Sequence, residues 1–156
     1  MSQTTYNLDQ RIAVAGLLGD LGENYVRTYA VKAPVMNIGV AVTVAANGKT
    51  CSALAAITEK VAGVTVFSHH LVNTSVPALN VGDQINVISS GQIWVKVEES
   101  VNAQDPVFVR AVATGLQVAG AFRKSADGVT TIDLTGKAKF LTKAAANGFA
   151  LVDLYV

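Results

Sequence analysis

Val81 to Arg110 reads VGDQINVISSGQIWVKVEESVNAQDPVFVR, and the rhythm of this stretch decides the fold class. Successive side chains of a strand point to opposite faces. Ile93, Val95 and Val97 therefore line one side, while Trp94, Lys96 and Glu98 line the other. This is a half-buried strand with an amphipathic aromatic on its wetter side. Upstream, Gly82-Asp83 opens a strand in which Ile85 and Val87 alternate with Asn86, and Ser89-Ser90-Gly91 supplies a turn. Downstream, Val107 and Val109 repeat the arrangement against Phe108 and Arg110, with Pro106 at the first position of that strand or on an edge. The connections are too short for crossover helices, so several short antiparallel strands are expected and the chain is all-β.

The segments VGDQINV and AQDPVFV echo each other, with an Asp followed two and four residues later by β-branched side chains. An acidic residue before a strand accepts backbone hydrogen bonds in the turn, so the echo reads as strand-entry chemistry and not as duplication.

The pattern extends in both directions. Val40, Val42 and Val44 share a face with Ala41 and Thr43 opposite, and Asn47-Gly48 turns the chain, since both residues tolerate positive φ. Ser52 to Ile57 gives at most one short helix or turn before the β-branched run Val64, Thr65, Val66. At the other end, Val152, Leu154 and Val156 form an apolar face against Leu151, Asp153 and Tyr155, which predicts a terminal strand paired in the sheet. Lys137, Lys139 and Lys143 read as the solvated face of a strand that resists edge pairing.

Before the β region, Gly16, Gly19 and Gly22 recur through GLLGDLG. Glycine at that density argues for an extended or looped arm instead of a helix. The arm carries Leu17, Leu18 and Leu21, which need something to lie on. The division expected is residues 1–30 as N-terminal arm and junction, and 31–156 as a single β-rich body.

Composition narrows the function. The chain is 51% hydrophobic and 15% charged, against about 25% charged in a typical soluble protein. Apolar surface beyond what one small core absorbs points to a subunit or partner interface. A net charge of +1 provides no field for gathering nucleic acid or acidic lipid. No run approaches the roughly 20 apolar residues that cross a bilayer. The single Cys51 forms no intrachain disulfide, and the opening residues lack the order of a secretory leader, so cytoplasmic synthesis is expected.

A search for chemistry returns none. His69 and His70 would face opposite sides of a strand and find no second cysteine to complete a metal site. There is no GxSxG elbow and no phosphate loop. No catalytic residue, cofactor or metal is expected. Trp94 and Arg110 are the candidates for protein contact, because both residue types are enriched at the energetic centres of interfaces.

The order of segments resembles the capsid cement or decoration proteins of tailed bacteriophages. The likeness lies in Gly16 to Tyr29, Val81 to Val97, Val101 to Arg110, Gly120 to Gly128 and Ala138 to Lys143, and it fades over Ser52 to Leu79. The resemblance implies an antiparallel β-barrel or jelly-roll-like sandwich with an extended arm, sitting on the outer surface of the virion capsid. It further implies a homo-oligomer, trimer or dimer, whose partner is the major capsid protein. The alternative from a different class is a carbohydrate- or small-ligand-binding β module with an aromatic platform drawn from Trp94, Tyr25, Tyr29, Tyr155 and Phe108. A phage tail or baseplate structural protein shares the composition.

Overall fold

The computed structural model describes residues 13–20, 22–33, 37–67 and 79–156. The strands in chain order are β1 (Tyr25–Val31), β2 (Ala41–Val44), β3 (Thr50–Ala53), β4 (Gly63–Thr65), β5 (Gln84–Lys96), β6 (Phe108–Arg110), β7 (Phe122–Arg123), β8 (Thr131–Asp133), β9 (Ala138–Phe140) and β10 (Phe149–Tyr155). No described residue is helical. Strands β1-β3-β2-β4-β5 close into a five-strand barrel because β1 pairs with β5 as well as with β3. The β1–β3 pair is parallel, and the other strand pairs of the barrel are antiparallel. Beyond the barrel, β10 and then β9 extend the sheet from β5, while β7-β6-β8 form a separate three-stranded sheet.

The β2–β3 hairpin shows how local sequence sets the wall. Asn47 Oδ1 accepts hydrogen bonds from the Lys49 and Thr50 amides at 2.9 and 3.3 Å, and Gly48 takes φ +65°, so the Asn-Gly pair reverses the chain as read. The strand-entry echo has the same origin at both sites. Asp83 Oδ2 accepts from the Asn80 amide at 2.8 Å, and Asp105 Oδ2 accepts from the Asn102 amide at 2.9 Å.

Strand β5 organises the whole molecule. Its first half pairs with β1 and β4, and its second half pairs with β10. Ser90 marks the handover, facing Tyr25 on one edge and Tyr155 on the other. The turn expected at Ser89-Ser90-Gly91 is therefore corrected: the strand continues through it without reversing. Gly91 adopts φ +124°, open to glycine and strained for other residues, so the stretch bends to leave the barrel without reversing. Two small corrections go with it. Pro106 lies ahead of β6 instead of opening it, and Ser52-Ala53 belong to the end of β3, with the expected turn following near Ile57. Strand β1 straddles the expected boundary at residue 30, and all of it is barrel wall.

Two cores result. Val31, Val42, Cys51, Leu79, Ile85 and Val87 pack together from strands on the inside of the barrel. Burial pushes the Cys51 thiol above its ordinary value, as for an inert interior side chain. The outward residues Ala41, Val64 and Ile88 join a larger cluster with Ile93, Val95, Val109, Phe122, Phe140, Val152 and Leu154. Strands β2, β4 and β5 are thus buried on both sides, one facing the barrel and one facing the second sheet.

The glycine-rich arm lies along the edge of β5 that β1 vacates. The Gly16 amide donates to Trp94 O at 2.7 Å, the Trp94 amide donates to Leu17 O at 2.8 Å, and the Gly19 amide donates to Gln92 O at 2.8 Å. Gly16 has φ +81°, and a Cβ there would sit 2.8 Å from Phe67 N, 2.9 Å from Thr65 O and closer still to Ile38 Cγ2. Gly16→Ala is expected to cost about 2 kcal/mol or more, from backbone strain plus displacement of the barrel wall. Urea unfolding measures it, and an unchanged midpoint would contradict the seating of this segment.

Candidate binding surfaces

The outward face of the β5–β10–β9 sheet alternates with the core face by the pleat. Cross-strand partners share a side, so Trp94 stands beside Leu151, Lys96 beside Phe149, and Gln92 beside Asp153. Trp94 is half-buried here, and Phe149 and Tyr155 are exposed. The Tyr155 hydroxyl donates to Asp153 Oδ2, which pushes the phenol above its ordinary pKa. Leu17 is exposed on the arm, Leu18 packs against the chain's own larger core, and Leu21 lies outside the described residues.

Arg110 belongs to a different environment. The wetter face expected for it is corrected, because its side chain has 0% exposure. Nε and Nη2 donate to the two oxygens of Glu98 at 2.6 and 2.9 Å, a bidentate fork. Nη1 donates to Asp127 Oδ2 and Thr130 Oγ1, both at 3.2 Å. Arg123 extends the group, with Nη1 3.4 Å from Glu98 Oε2 and 3.3 Å from Asp127 Oδ2, and Nε 3.6 Å from Glu99 Oε1. The network joins β6, β7, the extension of β5 and the loop before β8, so it fastens the three-stranded sheet to the barrel strand. Arg110 is held in this internal role, with its side chain wholly covered within the single chain.

The acidic members report their surroundings. Burial pushes the Glu99 carboxyl up, but hydrogen bonds from the Ser125 hydroxyl, the Ser125 and Lys124 amides and the nearby Arg123 outweigh it, and the net shift is downward. The Arg110 hydrogen bond, then that of Thr130, lowers Asp127. A carboxyl held below its unfolded value binds fewer protons folded than unfolded. Its stabilisation is whole above the unfolded value and is lost as pH falls through the folded one. Stability is expected to decline as pH drops below about 4, with Glu99→Gln flattening the slope. Urea midpoints from pH 7 to pH 3 check this, and equal slopes in both proteins would refute the role of Glu99.

Sequence reading passed over the β6–β7 connection. Ala111 to Phe122, AVATGLQVAGAF, holds twelve residues without a charge, and that absence was the available signal. Its ends are pinned by Gly120 N to Arg110 O at 2.7 Å and Ala41 N to Gly120 O at 2.9 Å. Between them the chain tightens at Thr114–Gln117 and lifts Leu116 to full exposure, 102%. Val112, Val118 and, from the neighbouring loop, Val129 are exposed as well.

Of the aromatic platform weighed for a ligand module, Tyr25 and Tyr155 flank Ser90 on its two edges, Trp94 lies further along β5, Tyr29 lies on β1, and Phe108 stands apart in the second sheet. Two grooves among the described residues, about 530 and 470 Å³, have no aromatic residue in their linings. Among the described residues no group of His, Cys, Asp and Glu is placed to hold a metal. His69 and His70 lie outside the described residues.

The fold has counterparts among solved structures. A solved chain of the capsid of Myoviridae phage XM1 matches with a TM-score of 0.75 and 18% identity, covering 97% of each chain, which bears on the fold. The head fiber gp8.5 N base of bacteriophage phi29 matches with a TM-score of 0.47 and 14% identity, over 85% of this chain and 94% of that one. No curated protein matches the sequence. The family model for the structural cement protein (E217 gp24/Pam3 gp6) matches residues 2–155. With a match over nearly its whole length and an all-β barrel to carry it, the chain belongs to the phage structural cement protein family, as a structural, capsid-associated protein.

Proposed function

We propose that this protein binds the outside of a phage shell and stabilises the contacts between neighbouring major capsid subunits, without catalysis, as a small homo-oligomer. The observation that carries the reading is the outward β5–β10–β9 face, where Trp94, Leu151 and Phe149 stand on the sheet that extends from the barrel, beside the exposed Leu17. Trp94 and the arm leucines Leu17, Leu18 and Leu21 are its contacts with the major capsid protein, and Arg110 acts indirectly by holding the second sheet in place. Made in the host cytoplasm, the protein ends on the outer capsid surface. A shell packed with genome is under outward stress, and a body that grips several subunits makes their separation break several contacts together. The near-neutral chain gives DNA and membranes no electrostatic hold.

Particles lacking the protein are expected to release their genome at lower temperature, or sooner in chelator or low salt, and added purified protein restores them. Trp94→Ala is expected to weaken co-sedimentation with bare shells roughly tenfold or more while leaving the melting temperature of the free protein nearly unchanged. Equal survival of particles with and without the protein would overturn the function. Full binding by Trp94→Ala would overturn the role of this face.

A further inference from the structure

Large apolar side chains exposed singly need no explanation, whereas two aromatic rings set in register across one strand do. Tyr25 on β1 and Tyr155 on β10 are both cross-strand partners of Ser90 on β5. Cross-strand partners share a side of the sheet, so both phenol rings rise from the same face with the small Ser90 side chain between them. They stand two strand spacings apart, roughly 10 Å. Tyr25 is 51% exposed and Tyr155 54%. The handover point of β5 is thus a shallow slot, with an aromatic flank on each edge and a hydroxyl on its floor.

Each ring is tethered by a charged neighbour on its own strand. Arg27 Nη2 donates to the Tyr25 hydroxyl, and the guanidinium carbon lies 5.1 Å from the centre of that ring, which leaves the opposite ring face open to a ligand. The Tyr155 hydroxyl donates to Asp153 Oδ2. Arg27 pairs with Val87 and Asp153 with Gln92, so the two charges lie on opposite sides of Ser90 along β5. Gln92 adds a half-buried amide on the same face. Lys139 stands opposite Asp153 on β9. Two cations and one carboxylate leave these residues with a single net positive charge.

We infer that the slot between Tyr25 and Tyr155 binds a neutral saccharide, one pyranose ring lying over Ser90. A pyranose needs two kinds of contact at once: its C–H face lies against an aromatic ring, and its rim of hydroxyls needs donors and acceptors. The slot offers both, with the Ser90 hydroxyl, the Gln92 amide, Arg27 and Asp153 around two tyrosine rings. Tyrosine supplies a large rigid contact area at small entropic cost, and rings already tethered at their hydroxyls have less freedom to lose on binding. A single net charge is too little to gather sulfated or phosphorylated polymers, which favours a neutral ligand. Trp94 lies roughly 13 Å further along β5. The sugar site is therefore complete in the single chain and stands whether or not the capsid contacts of the proposed function hold.

The test is a titration of the full-length protein, followed by its proton–nitrogen correlation spectrum, with maltotriose, mannotriose and chitotriose, and with dextran sulfate as the anionic probe. At least one neutral sugar is expected to give saturable shifts centred on the amides of Tyr25, Ser90 and Tyr155. Tyr25→Ala and Tyr155→Ala should each weaken that binding roughly tenfold, because each removes one stacking ring. Ser90→Leu fills the slot while leaving both rings in place, and should abolish binding; native dispersion in the same spectra shows that a variant has folded. Three results overturn the inference: no saturable shift with any of the three neutral sugars, shifts centred away from Ser90, or a folded Ser90→Leu protein that binds like wild type. Binding of dextran sulfate alone also overturns it, since charge would then be the attraction.

Discussion

A chain ending at Gly148 is expected not to fold. Strand β10 lies between β5 and β9 and is hydrogen-bonded on both edges, so its loss strips backbone partners from two strands at once. It also removes Ala150, Val152 and Leu154, all fully buried in the larger core. Val152 and Leu154 alone account for about 3–6 kcal/mol of apolar burial. The ladder bonds left without partners add about 1–3 kcal/mol for each group that stays buried. A domain of this kind has only about 5–15 kcal/mol in total. The proton–nitrogen correlation spectrum of the shortened protein should collapse to the narrow dispersion of an unfolded chain. A spectrum that keeps native dispersion would refute the central place of β10.

Arg110→Met should lower stability by about 3–5 kcal/mol, the usual consequence of removing one partner from a buried ion pair. The substitution keeps most of the side-chain volume but leaves Glu98, with 11% side-chain exposure, facing only the weaker Arg123 contact. For a chain of this size the fall in melting temperature is roughly 10 °C. The combined change Arg110→Met with Glu98→Met should recover a large share of the loss, because it removes the stranded charge while Arg123 and Asp127 still pair at 3.3 Å. If the single variant melts within a degree or two of wild type, the network is not what fastens the second sheet.

The same residue shows where sequence reading stops. Alternation placed Val107 and Val109 inside correctly, and the step to a wet Arg110 assumed that β6 had a solvated side. In the structure β6 is the middle strand of its sheet, and the partners that make Arg110 tolerable there come from residues 98, 127 and 130. Such pairings are distant in the chain and leave no local mark. Ser89-Ser90-Gly91 failed for a related reason: a flexible triplet permits a reversal or a bend, and only the partners on either side of Ser90 choose between them. What was legible was local. The Asn47-Gly48 reversal, the two Asp-capped strand entries, the alternation of β5 and β10 and the exposed Lys139 on edge strand β9 each depend on neighbours within a few residues. The β1–β5 pairing that closes the barrel depends on residues some sixty positions apart, as in Thr28↔Asn86. Of the candidate contacts, Trp94 was legible from its strand, whereas the prominence of Leu116 was not, because hydropathy alone would have sent it inside.

The unbroken run of β5 through both halves has a mechanical consequence. Antiparallel ladder bonds stand perpendicular to their strands, and β5 is held along nearly its whole length by β1 and β4, then by β10 and the arm. A pull applied along β5 therefore shears many of these bonds together, whereas a pull across it would unzip them one after another. The molecule is stiffest along that axis, so a cement body oriented with β5 spanning a seam would meet the swelling of a shell with its strongest direction.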